Sequence, residues 1–169
     1  MPLRFPLLGR RLSLRPFTVT DFEAAHGIYS DADVMRFVAY GRPSASLAET
    51  RAMVSAYIDH QKTHDHGFWA VIETATGRLI GDAGFESGDG ADVDFGYTLE
   101  QRSWGRGYAT EAAEVCLAAI EELVERERIV SHVDPANRAS ARVLEKVGFL
   151  LEGTRILYGR PHLSYRLAN

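Results

Sequence analysis

The apolar period of this chain changes at Gly67, and that change restricts the fold more than any other feature. Ahead of Gly67, apolar residues recur three and four apart; beyond it they alternate. Phe68-Trp69-Ala70-Val71-Ile72 reads as a strand, Thr76-Gly77 as a turn, and 79–85 as the returning strand. Asp89-Gly90 supplies another tight turn, after which Val93, Phe95, Tyr97 and Leu99 alternate in a third strand. Successive strands joined by short turns make an antiparallel meander. The period then returns to that of a helix. After Gly105 and Gly107, the residues Ala109, Ala112, Ala113, Cys116, Ile120, Leu123 and Val124 share one face of a long helix over 108–126.

Upstream, Leu12, Leu14 and Phe17 mark a first strand that Pro16 ends. Thr20 reads as an N-cap, with Asp21 and Glu23 in the first turn and Phe22, Ala25, Ile28 and Tyr29 at helical spacing. A short helix over 32–38 precedes the break at Gly41 and Pro43. Ser46-Leu47-Ala48-Glu49 has the form of a capping box before a helix striped by Met53, Val54, Tyr57 and Ile58. Downstream come a strand over 129–133, a helix over 139–147 stopped by Gly148, and a closing hairpin of 149–158 with 163–167. This order predicts an α/β protein, one domain over 1–169, with a mixed, mostly antiparallel sheet flanked by helices.

Composition excludes several functions. The formal charge of −4 argues against a general nucleic-acid binder, whose phosphate contacts need a basic surface. The lone Cys116 allows no internal disulfide, which suits the cytoplasm. The apolar start, residues 1–9, is too short to span a bilayer and lacks a cleavage site, so neither a signal peptide nor a membrane partner is expected. The chain has no P-loop ending, no Gly-x-Ser-x-Gly elbow and no His-Glu-x-x-His pair. His60, His64 and His66 cluster near a helix end, where the helix dipole favours them, and only Asp59 and Asp65 stand at a matching distance; no metal is expected.

The loop before the long helix reads Arg102-Ser103-Trp104-Gly105-Arg106-Gly107-Tyr108-Ala109. Two glycines one residue apart let the backbone turn sharply and approach a ligand, small Ala109 keeps the first helical turn open, and the helix start offers unpaired N–H groups to an anion. Arg106 and Arg102 can add charge-assisted contacts to phosphate. A dinucleotide fingerprint would need glycine where Thr110 stands, inside a parallel unit. The pattern Arg102-x-x-Gly105-x-Gly107 resembles the pyrophosphate loop of the GNAT superfamily of acetyl-CoA-dependent acyltransferases. The run from Trp104 to Ala112, Asn137-Arg138-Ala139-Ser140, and Glu145-Lys146-Val147-Gly148-Phe149 with Glu152-Gly153 are similar to the subgroup that acetylates N-termini of ribosomal proteins. The likeness runs from Arg11 to Leu167.

The resemblance implies a GNAT fold and a cytoplasmic N-acetyltransferase that uses acetyl-CoA as co-substrate and no metal. It places Arg102, Gly105, Arg106, Gly107, Tyr108 and Ala109 at the pyrophosphate. Backbone groups around Tyr97 and Leu99 would hold the pantetheine arm, in a gap where strands 93–99 and 129–133 splay apart. Asn137 would contact the cofactor and Ser140 would lie near the sulfur. The wider superfamily often carries a proton-donating tyrosine seven residues after that asparagine; here the position is Leu144. Ser140 stands in for it as a hydrogen-bond donor or relay, and the same serine can equally be a cap of the last helix.

The resemblance further implies a primary amine as acceptor, a protein N-terminus or a small molecule, attacking in a ternary complex without a covalent enzyme intermediate. An α-amino group has a pKa of about 8 and a lysine-type amine about 10.4, so a base is needed at neutral pH. Asp94 is the first candidate, followed by Glu86 and His132; Asp92 and Asp94 also fit solvated edge charges. A different class stays open, a non-catalytic acyl-CoA-binding sensor or scaffold. Look-alikes are commonly homodimers.

Overall fold

The computed structural model describes residues 2–88 and 90–169. Its eight strands are β1 (Leu7–Leu8), β2 (Leu12–Pro16), β3 (Phe68–Glu73), β4 (Arg78–Ser87), β5 (Val93–Leu99), β6 (Ile129–Val133), β7 (Phe149–Leu157) and β8 (Arg160–Leu167). They form one sheet in the order β1-β2-β3-β4-β5-β6-β8-β7, antiparallel throughout except where β5 meets β6. The helices are α1 (Phe22–Tyr29), α2 (Ala32–Met35), α3 (Leu47–His64), α4 (Tyr108–Ile120) and α5 (Arg138–Lys146). The architecture is the mixed, mostly antiparallel α/β sheet expected from the periodicity.

Side-chain alternation gives the sheet two apolar faces. On one, Leu12, Leu14, Trp69, Val71, Phe85 and Phe95 pack with Cys116 and Ile120 of α4 and with Leu144 of α5. On the other, Ala70 packs with Ala25, Ile28 and Tyr29 of α1 and Val54 of α3. Each fully buried Leu, Ile or Phe side chain contributes about 1.5–3 kcal/mol, so both faces are needed to hold the sheet between its helices.

Several boundaries differ from expectation. The strand Leu7–Leu8 was not foreseen; two residues carry no period, and it forms because Gly9 N–H reaches the Leu12 carbonyl at 2.8 Å and closes a hairpin. The cap ahead of α1 is not Thr20. A short turn, Val19–Asp21, intervenes, and the Asp21 carboxylate accepts the Thr18 backbone N–H at 2.8 Å and the Arg15 guanidinium at 2.8 and 3.0 Å. α2 stops at Met35, three residues early, and Ala39 takes a left-handed φ of 46°. α4 ends at Ile120 instead of 126: Leu123 and Val124 both donate to the Ile120 carbonyl, and Glu121, Glu122 and Glu125 gather where the helix dipole disfavours negative charge. α5 spans Arg138–Lys146, one residue earlier than expected at each end, and β8 begins at Arg160, because Tyr158 and Gly159, at φ 52° and 72°, make a two-residue turn. The expected Asp89-Gly90 turn includes Asp89, which lies outside the described residues.

Asp82, on β4, is 2% exposed and sits under α1, where the Tyr29 hydroxyl donates to its Oδ2. Burial pushes its carboxyl from the ordinary 3.8 up to about 7, against the opposing pull of the Tyr29 hydroxyl and the Thr98 amide. Between those values the folded protein keeps a proton that the unfolded chain has released, so this contribution to stability falls as pH rises through the window and is lost above about 7. Asp82→Asn, which stays neutral, should gain on the wild type by up to roughly 1.4 kcal/mol per pH unit across that window and then hold level. Urea unfolding between pH 4 and 8 measures the difference; parallel pH curves for the two proteins would refute the assignment.

Candidate active site

Parallel β5 and β6 pair only at Val93↔Ile129 and Asp94↔Val130. Beyond those residues the strands part, while β5 stays paired with β4 as far as Leu99. Ser131 Oγ donates to the Phe95 carbonyl at 2.7 Å and closes the narrow end of the gap. The backbone edge of β5 from Tyr97 onward therefore faces an opening with no strand on that side. At its far end the Leu99 carbonyl already accepts the Trp104 indole N–H at 2.9 Å.

The glycine loop stands at that end of β5. Gly105 and Gly107 take φ of 71° and 78°, a left-handed conformation that a Cβ would strain. Gly107 is the N-cap of α4 and brings no side chain to it, and the first helical bond is Glu111 N–H to the Gly107 carbonyl at 3.1 Å. The amides from Gly105 to Thr110 find no acceptor among the described residues. They form a row of donors at the positive end of a thirteen-residue helix.

The two arginines named for phosphate contact also reach acidic neighbours. Arg106 Nη1 lies 3.4 Å from Glu73 Oε2, with its guanidinium 4.8 Å over the Tyr108 ring. Arg102 Nε donates to Glu100 Oε1 at 3.1 Å. Arg11 stacks on Tyr108 at 4.5 Å, donates to the Arg106 carbonyl at 2.8 Å, and pairs with Glu111 at 2.8 Å. The Tyr108 hydroxyl donates to Glu73 at 2.7 Å, which holds the Glu73 carboxyl below its ordinary value, Thr76 assisting. These groups brace the loop through its side chains, while its backbone amides from Gly105 to Thr110 stay unpaired among the described residues. Arg11, Glu73 and Glu111 were not singled out in the sequence; their contacts with the loop span up to a hundred positions and leave no local signal.

Asp94 and His132, two of the three base candidates, meet across β5 and β6. His132 Nδ1 donates to Asp94 Oδ2 at 2.7 Å, and Asp94 is the more open of the two, at 24% against 7%. Glu86, the third, is the cross-strand partner of Asp94. Desolvation first, and the Asp94 charge second, push the Glu86 carboxyl up.

On the opposite face of β5, the Tyr97 hydroxyl lies 2.7 Å from Ser140 Oγ. Ser140 is not the cap of α5; that is Asn137, whose Oδ1 accepts the Ser140 N–H at 3.3 Å and whose Nδ2 donates to Ser140 Oγ at 3.1 Å. Leu144 is 2% exposed inside the core and carries no proton to give. The carboxylate and imidazole thus stand on one side of the open β5 edge, and a hydroxyl pair stands on the other.

A family model described as an acetyltransferase (GNAT) domain matches residues 11–150. Protein YkkB of Bacillus subtilis (strain 168) is 28% identical over 169 residues, covering 98% of this chain and 96% of its own. The crystal structure of an acetyltransferase from Agrobacterium tumefaciens superposes with a TM-score of 0.82 at 28% identity, covering 100% of this chain and 98% of that one. The ribosomal L7/L12 alpha-N-protein acetyltransferase RimL, in complex with coenzyme A, shares the fold at a TM-score of 0.81 and 19% identity, covering 95% and 94%.

Proposed function

Given that this chain belongs to the GNAT family of acetyltransferases, we propose that it moves an acetyl group from acetyl-CoA to a primary amine, a protein N-terminus or a small molecule, in one ternary complex. The observation that carries this reading is the placement of Asp94 with His132 on one side of the open β5 edge and Ser140 with Tyr97 on the other. An acyl transfer needs a base where the amine attacks and a donor where the thiolate departs, and the attacking and leaving groups lie on different sides of the carbonyl carbon.

The residues divide the work accordingly. The amides of Gly105 to Thr110 hold the pyrophosphate, and the unpaired backbone of β5 around Tyr97 bonds the amides of the pantetheine arm. Asn137 orients Ser140 at the sulfur. A β5 backbone N–H stabilises the thioester oxygen as it gains charge. Asp94 takes the proton of the acceptor ammonium, with His132 holding the carboxylate in place through Nδ1. The amine lone pair then forms the C–N bond as the C–S bond breaks; the nitrogen gives up its second proton to solvent, and the coenzyme A thiolate leaves towards Ser140 and takes a proton from solvent to become the free thiol. The coenzyme A in RimL supports the co-substrate, and the motifs shared with the ribosomal-protein subgroup support an N-terminal amine among the acceptors.

Incubation of the protein and acetyl-CoA with a panel of primary amines and N-terminal peptides, followed by mass spectrometry, tests the reading. At least one acceptor should gain an acetyl group, with free thiol released in equal amount. Coenzyme A binding without acetylation of any amine would replace the enzyme with a sensor.

A further inference from the structure

Ser140 Oγ is approached from two sides, by Asn137 Nδ2 at 3.1 Å and by the Tyr97 hydroxyl at 2.7 Å. The Asn137 amide is fixed in orientation, because its Oδ1 is bound to the Ser140 backbone N–H. A serine oxygen has two lone pairs and one proton. A phenol is a much stronger acid than an aliphatic alcohol, so Tyr97 is the better donor of the pair. With a hydrogen bond entering each lone pair, the Ser140 proton is left to point away from both neighbours.

We propose that the Tyr97 hydroxyl is a positioning residue for the transfer step, aiming the Ser140 proton at the departing sulfur and strengthening the hydrogen bond it makes there. This inference rests on the acetyl-transfer reading above. The Tyr97 ring is held 6.2 Å from Phe95 and packs on the core, so its hydroxyl is delivered by rigid sheet. Burial raises the Tyr97 phenol above its ordinary value, with the Ser140 contact opposing, so it stays protonated and donating through the neutral range. Donation into Ser140 polarises its O–H bond, a cooperative gain along a hydrogen-bond chain. No covalent bond changes at Tyr97 and its proton stays in place.

Tyr97→Phe keeps the ring and removes only the hydroxyl. The expected result is a fall in kcat of about tenfold, the worth of one hydrogen bond to a developing charge, with the KM for acetyl-CoA unchanged. Ser140→Ala should lose at least as much, and the double variant no more than Ser140→Ala alone, because Tyr97 acts only through Ser140. A second readout needs no turnover. With coenzyme A bound, the pKa of its thiol, followed by the ultraviolet absorbance of the thiolate, should rise in Tyr97→Phe and in Ser140→Ala, and no further in the double variant. Losses that add in the double variant, or wild-type kcat and thiol pKa in Tyr97→Phe, overturn the proposal. A protein that binds coenzyme A yet acetylates nothing removes the transfer reading, and the thiol titration still decides the role of Tyr97. Failure to bind coenzyme A removes both.

Discussion

Gly107→Asp should weaken coenzyme A binding by at least about a hundredfold while leaving the fold intact. Gly107 caps α4 at φ 78°, and a Cβ there meets only Arg11 Nη2, at 3.4 Å. Aspartate tolerates left-handed backbone better than most residues, and its carboxylate would stand beside the amides now free. The left-handed φ costs the folded protein about 1 kcal/mol. The ligand is repelled, because a negative charge then faces the phosphates. At about 4 Å and an effective dielectric constant of about 20, each such repulsion is worth about 4 kcal/mol, so Kd should rise by at least about a hundredfold. Gly107→Asn, the same shape without charge, is the control. Calorimetry and a melting curve on both variants decide the matter; equal affinity for coenzyme A in the Asp and Asn variants would mean that the phosphates bind elsewhere.

The second large effect is expected at Asp94. Asn at this position keeps an oxygen to accept His132 Nδ1–H and relieves the like charge opposite Glu86, so the strand pairing should hold. What disappears is the group that receives the ammonium proton. General-base catalysis is worth about a hundredfold to ten-thousandfold, and kcat of Asp94→Asn should fall within that range at neutral pH with Kd for coenzyme A unaltered. The variant must then wait for solvent to deprotonate the acceptor. Its rate should climb about tenfold per pH unit until the amine titrates, at about 8 for an α-amino group. His132→Ala, which frees the carboxylate to turn, should lose less. A wild-type kcat for Asp94→Asn would move the base elsewhere, with Glu86 next in line.

The Asp94 pair shows how far a sequence reading reaches. Alternation along β5 was enough to put Asp94 on the face away from Val93 and Phe95, and the same reasoning applies to His132 on β6. That the two meet at 2.7 Å depends on the register of two strands separated by α4, which no local period encodes. Tyr97 is the sharper case. In the sequence it is one more large residue on the apolar side of β5, with only its backbone assigned a role; its hydroxyl acquires a purpose because α5 delivers Ser140, forty-three positions on, to within a hydrogen bond of it. A basic side chain in a phosphate loop suggests a phosphate contact; that Arg106 also reaches Glu73, thirty-three positions away, and stacks over the Tyr108 ring leaves no local signal.

By itself, the order of residues determined the class of the sheet, the start of α4 after two glycines, and the identity of the polar side chains on each strand face. These follow from steric preferences and apolar periods that act over a few residues. The folded chain alone decided which of those polar groups meet, where α4 stops, and after how many pairs β5 and β6 separate. Those outcomes depend on long-range packing and on where unsatisfied backbone groups can find partners, quantities that exist only once both faces of the sheet are covered.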